Sequence, residues 1–485
     1  MSYLDLTIKE MHEALVNKKV TPLELTKEAI ERAKSDNNNA FETILEDEAL
    51  AIAKELKEPE VDNLFWGIPI GIKDNFSTKG ILTTGSSEIL KDYVPVFNAT
   101  VVEKLLKAHA IPIAKTTLDE LAMGGTGTTG HKGMTFNPYD EKHELLVGGS
   151  SCGSAAMVAN SIAPFALGSD TGDSVRKPAS YAGLVGFKPT WGRISRFGLF
   201  PFAPSLDHVG FFTRSVEDSA IALSLLAGRD LNDATSSIKP VEDYASNIND
   251  SIKGKRIAVI KEVIDSLNDE QIKKAFLASI EALEKQGAII DYVSFSLKLL
   301  EAIYPTYMVI SCAEATSNNA NLDGVKFGPR YEGNTYQEVM IKARTNGFSE
   351  LIRRRFIIGS FALMRENQND LFLRAQKARR LIVNRVNEIL SNHDIIYVPA
   401  APTTAPKINA SSDRLSDNYL IADNILVLGN FAGLPSITLP IALINNMPLG
   451  GNLMGRAFEE KLVFNVAKAL ENEMGLYNLS ARKVK

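Results

Sequence analysis

The sequence predicts an α/β protein, in which short buried strands alternate with helices. From Trp66 onward, short apolar runs end in a glycine or a polar residue, and each is followed by a segment of helical character. The chain has 485 residues, of which 45% are hydrophobic, so it can bury a large core. We therefore expect either one large α/β domain or two to three modules.

The first 62 residues have the pattern of a small helical lobe. Thr21 is placed to cap a helix, with Glu24 completing a capping box, and the helix should run to about Lys34. A second helix is expected over residues 46–56, which are rich in Leu, Ala, Lys and Glu. A break in the pattern follows, and we assign residues 63–485 to the main domain.

The catalytic core of that domain is expected at about residues 66–215. Three apolar runs end there, at Lys73, at Lys115 and at Gly168. In open α/β sheets the ligand crevice lies outside the carboxyl ends of the strands. We therefore expect Lys73 and the segment after Leu167 to be neighbours in space.

The second half of the chain has the pattern of a scaffold. One βαβ unit is expected, with the apolar face of its helix against two strands: strand 256–260, helix 269–286 and strand 288–290. A mostly helical insertion is expected at 301–390. Strands near 395–398 and 437–439 and a final helix should close the chain.

Composition argues against several functional classes. The formal net charge of −5 gives no overall positive field that would attract nucleic acid, so any RNA contact should be local or made by a partner.

The two cysteines, Cys152 and Cys312, are too few for a disulfide framework. They indicate a reducing compartment, the cytoplasm. There is no apolar run near the roughly 20 residues that span a bilayer. No metal-ligand spacing occurs either, so we expect neither a membrane span nor a metal.

Two segments rich in glycine and serine stand out, residues 148–154 and 168–176. Either one alone is typical of a tight turn, and Ser151 and Ser169 are expected to be turn residues. Ser154 should cap a helix over 155–161. A catalytic serine needs an adjacent base, yet none of the six histidines lies in a comparable motif.

Together with Lys73-Asp74-Asn75, these segments resemble the amidase signature family. The three segments occur in the same order as in that family. Ser150 and Ser174 are 24 residues apart, which is also the spacing in that family. The resemblance implies a mixed central β-sheet with helices on both faces and a Ser–Ser–Lys triad. Ser174 would be the nucleophile that forms the acyl-enzyme, Ser150 the relay that follows a cis peptide bond after Gly149, and Lys73 the base.

This chemistry explains the residue types. A lysine accepts a proton only when it is neutral, and burial at the end of an apolar strand would lower the pKa of Lys73. The oxyanion that forms during attack needs donors, which successive backbone N–H groups can supply. We assign them to Thr171, Gly172, Asp173 and Ser174.

Further segments narrow the resemblance to the glutaminase subunits of tRNA-dependent amidotransferases, over about residues 5–475. They are 137–138, 194–210, 317–318, 354–363 and 430–435. This implies that glutamine is hydrolysed and its ammonia passed to a partner, which amidates glutamate on misacylated tRNA. It also implies a heterotrimer with the B and C subunits, tRNA contact mainly through the partner, ATP and Mg²⁺ at the partner, and no cofactor in this chain.

The same resemblance places residues around glutamine. Arg355 would clamp the α-carboxylate and Asp423 would pair with the α-ammonium. Tyr307 would contact substrate, and Gly125 would line the pocket with the rest of loop 124–132. Two alternatives stay open: Arg353 to Arg355 could be a solvated helix face with the register shifted by one, and Asp423 could be an ordinary helix-start residue.

Three residues depart from the family pattern: Cys152 and Asp173 stand where glycine is usual, and Lys177 where glutamine is usual. The carboxylate of Asp173 would lie near a developing negative charge, which puts the rate in doubt. Cys152 is a rival nucleophile without a histidine partner in its pattern.

The competing functions are a stand-alone amidase for another small amide, a catalytically silent scaffold, and nucleotide binding by loop 124–132. That loop lacks the Lys-Ser/Thr ending of a phosphate loop.

Overall fold

The computed structural model describes residues 2–409 and 417–484, apart from the side chains of 417–420. Within that part of the chain, eleven strands form one sheet in the order β1-β3-β2-β4-β6-β5-β10-β11-β9-β7-β8. The strands are β1 (Phe41–Ile44), β2 (Pro69–Lys73), β3 (Ile111–Thr116), β4 (Phe165–Asp170), β5 (Val185–Lys188), β6 (His208–Thr213), β7 (Arg256–Ile260), β8 (Ile289–Val293), β9 (Ile395–Pro399), β10 (Ser436–Ile444) and β11 (Met447–Gly455).

The α-helices surround this sheet. They are α1 (Ile8–Val16), α2 (Pro22–Lys34), α3 (Glu46–Glu55), α4 (Thr100–Lys107), α5 (Cys152–Ala159), α6 (Arg176–Tyr181), α7 (Val216–Leu226), α8 (Lys261–Asp265), α9 (Glu270–Lys285), α10 (Leu297–Glu301), α11 (Ile303–Asn318), α12 (Tyr336–Gly347), α13 (Glu350–Leu363), α14 (Phe372–Asn392), α15 (Asp417–Asn424), α16 (Val427–Phe431), α17 (Glu460–Met474) and α18 (Ala481–Val484).

The sheet is mixed, as the resemblance implies. Strand β2 runs parallel to β3 and β4, and β7 runs parallel to β8 and β9. The other pairs are antiparallel. Because β2 and β4 are parallel neighbours, their carboxyl ends lie at the same edge of the sheet, which places Lys73 beside the segment that follows Asp170.

Both faces of the sheet are covered. Along β7, Ile257 and Val259 belong to one buried apolar cluster, while Ala258 and Ile260 belong to a second. Successive strand residues point to opposite faces, so each cluster lies on its own face. Helices α9 and α17 contribute to the first cluster, and α11, α13 and α14 contribute to the second. The predicted helices on both faces are therefore confirmed.

The N-terminal lobe is helical, as predicted, but it also contributes a strand. The capping box of Thr21 and Glu24 is present at the start of α2. Strand β1 was not predicted; it pairs antiparallel with β3 at the edge of the sheet. The strand is only four residues long, and Glu42, its buried residue, is polar, so a search for apolar alternation does not find it.

The βαβ unit of β7, α9 and β8, the helical insertion and the closing strands are present as predicted. Strand β11 was missed because glycines weaken its pattern. The structure requires two of them: a Cβ on Gly450 would lie 2.8 Å from Oγ of Ser180, and one on Gly451 would clash with the hydroxyl of Tyr397. These strand glycines allow close packing.

Helix α5 begins earlier than expected. It starts at Cys152, so Ser154 lies inside it and does not cap it. The Ser154 hydroxyl donates instead to the carbonyl of Leu167 on β4, at 2.8 Å. In the part of the chain that is described, no helix is both long enough and apolar enough to cross a membrane.

Candidate active site

Lys73 is the last residue of β2, and its side chain is fully buried. Its Nζ atom lies 2.9 Å from Oγ of Ser150, 2.8 Å from Oγ of Ser151 and 2.9 Å from Oγ of Ser169. The structure therefore brings the predicted base and relay into hydrogen-bond contact. Ser151 and Ser169, which we expected to be turn residues, complete the shell around the amine.

Burial lowers the pKa of Lys73 from 10.5 to about 7. The thiol of Cys152 and the carboxylates of Asp119, Asp170 and Asp207 oppose this shift, and burial outweighs them. The direction of this shift is the one expected for a lysine buried at the end of an apolar strand. The lowered pKa brings the neutral amine, the form that is able to accept a proton, within reach near neutral pH.

Ser150 lies next to a contact between two loops. The peptide bond between Gly149 and Ser150 is cis, and the Gly149 N–H donates to the carbonyl of Gly125 at 3.0 Å. A Cβ on Gly149 would clash with Oδ2 of Asp119. Only glycine fits at position 149, so the glycine before Ser150 has a packing reason.

Ser174 lies in the turn between β4 and α6 and is only 4% exposed. Its carbonyl accepts a hydrogen bond from the Ser151 N–H at 3.2 Å, which ties the two serine segments together. Among the described residues, the Ser174 hydroxyl makes no hydrogen bond with Ser150. The predicted proton path from Ser174 to Ser150 therefore stays a prediction.

The backbone N–H groups of residues 171–174 have no acceptor within the described part of the chain. Arg176 supports this turn: its guanidinium donates to the carbonyl of Gly172 at 2.8 Å and pairs with Asp170 at 2.9 Å. Burial raises the pKa of Asp170, but the charge and hydrogen bonds of Arg176 hold it well below its usual range. Arg176 and Asp170 thus form a buried brace under the predicted oxyanion donors.

Asp173 and Lys177, two of the departures from the family pattern, form an ion pair. Nζ of Lys177 lies 2.5 Å from Asp173 and 3.1 Å from Asp423. Burial lowers the pKa of Lys177, but the two carboxylates together raise it well above its ordinary value. Among the described residues, Asp173 is not one of those with positive φ, so replacing glycine there causes no left-handed strain.

A cavity of about 170 Å³ borders this ion pair. Pockets for drug-sized ligands usually measure roughly 300–1,000 Å³, so this smaller cavity suits a molecule on the scale of one amino acid. Its lining contains all four predicted substrate-binding residues: Gly125, Tyr307, Arg355 and Asp423, together with Gly124, Thr126, Leu146, Asp173, Lys177, Tyr181, Tyr304, Met308, Pro406 and Asn424. Ser174 is not part of this lining, although its neighbour Asp173 is.

The three arginines of the basic run differ in their surroundings. Arg353 is exposed, and Arg354 is exposed and pairs with Glu350. Arg355 faces the cavity, and its Nε and Nη1 atoms are buried without a hydrogen-bond partner among the described residues. Buried donors of this kind call for an acceptor, and a carboxylate is the acceptor that fits the guanidinium fork.

Tyr307, on α11, packs against the turn of residues 171–174, which contains the predicted nucleophile Ser174. A Cβ on Gly172 would lie 3.0 Å from the Tyr307 ring, so glycine at 172 lets the ring pack against the turn. Burial raises the pKa of the Tyr307 hydroxyl well above its usual value, and the residue stays neutral. It can therefore contact a substrate without adding charge to the cavity.

Loop 124–132 does not have the features of a phosphate site. Its backbone N–H groups converge on a carboxylate of the protein itself: Asp119 accepts from Thr126, Gly127, Thr128 and Thr129 at 2.9 to 3.2 Å. Because Asp119 occupies this ring of donors, the nucleotide-binding interpretation loses its structural basis. Sequence reasoning missed Asp119, since no local pattern marks it.

Cys152 does not suit the role of a nucleophile. Its side chain is buried, and burial raises the pKa of the thiol to about 12. Reactive cysteines are thiolates with a lowered pKa. The residue is a packed part of α5, as expected. No group of three or more side chains suited to hold a metal ion occurs in the described ranges.

Comparisons with known proteins show the family to which the chain is similar. A model of the family described as amidase matches residues 24–464. The A subunit of glutamyl-tRNA(Gln) amidotransferase from Pediococcus pentosaceus is 40% identical over 478 residues, which cover 97% of each chain. The protein of the same name from Listeria innocua is 40% identical over 479 residues, or 98% of each chain. The crystal structure of the Thermotoga maritima protein of that name superposes with a TM-score of 0.81 at 37% identity, covering 97% of this chain and 95% of that one.

Proposed function

Because this chain belongs to the amidase family, we propose that it is the glutaminase subunit of a glutamyl-tRNA(Gln) amidotransferase. Relatives of that name cover nearly the whole chain at 40% identity. The observation that carries the substrate assignment is the cavity lined by both Arg355 and Asp423, in which Arg355 has two buried nitrogens without a hydrogen-bond partner among the described residues. The guanidinium of Arg355 and the carboxylate of Asp423 are the complementary groups for the carboxylate and ammonium of an amino acid.

The reaction begins with attack on the side-chain amide of glutamine. Oγ of Ser174 forms a bond to the amide carbon while its proton passes through Ser150 to the neutral amine of Lys73. The carbon–nitrogen bond then breaks, and the protonated lysine returns a proton through Ser150 to the departing nitrogen, which leaves as ammonia. Water attacks the resulting ester by the same proton route. The sum is glutamine plus water giving glutamate plus ammonia.

The hydrogen-bond inventory around Lys73 supports this assignment. The hydroxyl of Ser151 donates to the carbonyl of Ser169 at 3.2 Å, so its oxygen is left to accept from Lys73. Oγ of Ser169 accepts from Asn75 at 3.0 Å and has a second lone pair for Lys73. A neutral amine has two N–H groups and one lone pair. Two serines take the donors, and the lone pair is left for the proton of Ser150.

The oxyanion of the tetrahedral intermediate is assigned to the backbone N–H groups of residues 171–174. They have no acceptor among the described residues, and Arg176 fixes the turn from below through Gly172. Donors that are already oriented stabilise developing charge without reorganisation. Removal of one such donor typically costs about 3 kcal/mol of transition-state stabilisation.

The wider assembly is part of the proposal. The relatives are named as A subunits, and we infer that this chain works in the cytoplasm as a heterotrimer with B and C subunits. The partner takes up the ammonia, contacts most of the tRNA and holds the ATP and Mg²⁺ that activate the glutamate carboxylate. A net charge of −5 supports this division, because the chain by itself has little attraction for RNA.

One observation favours a second candidate, a stand-alone amidase for another small amide. Lys177 already contacts Asp423 at 3.1 Å, so the carboxylate assigned to the substrate ammonium has a cation of its own. A substrate without an α-ammonium would not need Asp423 to be free.

A substrate comparison separates the two candidates. The purified full-length chain, alone and with co-expressed B and C subunits, is assayed for ammonia release from glutamine and from simple aliphatic and aryl amides. The glutaminase function predicts that glutamine has the highest kcat/KM. Preference for an amide without α-substituents supports the stand-alone amidase. A chain that neither hydrolyses amides nor reacts with a serine-directed fluorophosphonate is a silent scaffold.

A further inference from the structure

Three charged side chains at one end of the cavity form a connected group. Asp173 is in the nucleophile turn, Lys177 is in the first turn of α6 and Asp423 is near the end of α15. Lys177 joins the two carboxylates, at 2.5 Å from Asp173 and 3.1 Å from Asp423. The exposed fractions of the three side chains are 8% for Lys177, 18% for Asp173 and 22% for Asp423, so solvent screens them only in part.

Each carboxylate of this group has a separate consequence for the proposed reaction. Asp173 is part of the turn whose N–H groups are assigned to the oxyanion, and an unpaired negative charge there opposes the transition state. Asp423 is assigned to the substrate ammonium, and a full positive charge beside it weakens that contact. Because Lys177 shares its one ammonium between the two carboxylates, it neutralises Asp173 only in part and weakens the contact of Asp423 with substrate only in part.

We propose that Lys177 is a positioning residue whose positive charge is shared between Asp173 and Asp423. This sharing sets both the electrostatic field at the oxyanion of the transition state and the affinity of the cavity for the substrate ammonium. The proposal rests on the glutaminase function of the preceding section. It makes two of the three departures from the family pattern a coupled pair: Asp173 is tolerated because Lys177 is present, and Lys177 is tolerated because Asp173 shares its charge.

The two single variants should differ in which kinetic constant changes. In Asp173→Asn, Lys177 keeps Asp423 as its remaining carboxylate partner and neutralises it, so KM for glutamine should rise about tenfold or more, with a smaller change in kcat. In Lys177→Gln, Asp173 has no counter-charge beside the oxyanion. There kcat should fall about tenfold or more, with a smaller change in KM.

The double variant, D173N/K177Q, provides the decisive comparison. In this variant Asp423 has lost its ion pair with Lys177 and is free to bind substrate. The negative charge of Asp173 beside the oxyanion has also been removed. Both constants should return to within about threefold of wild type, because neighbouring charges are coupled rather than additive. A purely structural role for Lys177 predicts no such rescue.

The experiment measures kcat and KM for glutamine in wild type, both single variants and D173N/K177Q, using the full-length chain with any co-purifying subunits. Fluorophosphonate labelling of Ser174 is measured in parallel: it should slow in Lys177→Gln and recover in the double variant. Asp370→Asn is the matched control. It breaks an exposed ion pair of the same i, i+4 spacing, Arg374 with Asp370, outside the cavity lining, and should leave the kinetics unchanged.

The outcomes keep the two proposals apart. If wild type does not hydrolyse glutamine, the glutaminase function fails. If wild type hydrolyses glutamine but the losses in D173N/K177Q multiply, the coupling of Lys177 to both carboxylates is wrong. Should a single variant fail to fold, D173G/K177Q, which restores the residues usual in the family, is compared with wild type and with the single variant that does fold. Activity nearer to wild type than to that single variant supports the coupling, and activity at or below that single variant overturns it.

Discussion

Nζ of Lys73 lies 2.9 Å from Oγ of Ser150 at the carboxyl edge of the sheet, in a fully buried site. This contact joins a residue of β2 to a residue 77 positions later in the chain. Burial brings the pKa of Lys73 to about 7, so the neutral amine that the proposed mechanism requires is accessible near neutral pH.

The first prediction concerns pH. The proposed mechanism needs the neutral form of Lys73, whose pKa is about 7. We therefore expect kcat/KM for glutamine to rise about tenfold per pH unit below pH 7 and to level off above it. The sign follows from burial, which favours the uncharged form. A profile that shifts when His131, the histidine of loop 124–132, is replaced by Gln would contradict the assignment of the base to Lys73.

The triad should behave as a unit. Ser174→Ala, Ser150→Ala and Lys73→Ala should each reduce glutamine turnover by several orders of magnitude, and the Ser150→Ala/Lys73→Ala double variant should be scarcely worse than either single. Circular dichroism and thermal unfolding establish that each variant is folded. Losses that multiply in the double variant would show that the two residues do not share one proton path.

Specificity should depend on Arg355 and not on its neighbour. Arg355→Lys keeps the charge but loses the planar fork, and it should raise KM for glutamine by about tenfold or more. Arg354→Lys is the matched control, since Arg354 is exposed and pairs with Glu350 on the same helix. Equal effects of the two substitutions would mean that the register of the clamp is wrong.

Asp423→Asn tests the other end of the substrate. Truncating one partner of a desolvated charge pair costs roughly 2–5 kcal/mol, so glutamine use should fall by more than about tenfold. The fluorophosphonate lacks an α-ammonium, and its labelling of Ser174 should persist. Unchanged glutamine kinetics in this variant would favour the stand-alone amidase.

Stability should depend on the brace between Arg176 and Asp170. Arg176→Met leaves the buried carboxylate without its partner, which typically costs about 3–5 kcal/mol. Arg374→Met removes an exposed ion pair and should change the free energy of unfolding by less than about 1 kcal/mol. Chemical denaturation of both variants measures the difference, and a loss of similar size in the two would refute the structural role of the brace.

The sequence identifies candidate site residues where residue type and chemistry coincide. Lys73, Ser150 and Ser174 are recognisable because a serine nucleophile needs a base and the spacing matches a known family. Ser151 and Ser169 are not recognisable in this way, because their contacts with Lys73 depend on how β2, β4 and α5 meet. The role of Asp119 is hidden for a similar reason: the loop that follows it turns back onto its carboxylate only in the folded chain.

Some of what was missed had a signal in the sequence. Asp173 and Lys177 are four residues apart, the spacing at which opposite charges pair on a helix, and both depart from the family pattern. Considering them together would have predicted their ion pair. Strand β11 had no comparable signal, because Gly450 and Gly451 are set by contacts with Ser180 and Tyr397 on other elements.

The most direct measurement identifies the residue that carries the acyl group. The chain is mixed with glutamine, quenched in acid during turnover and digested, and its peptides are examined by mass spectrometry. The proposed mechanism predicts a glutamyl ester on Ser174, absent from Ser174→Ala, together with release of ammonia and glutamate in equal amounts by wild type. Release of glutamate with the ester on another side chain, such as Cys152, or by a folded Ser174→Ala variant, would contradict it.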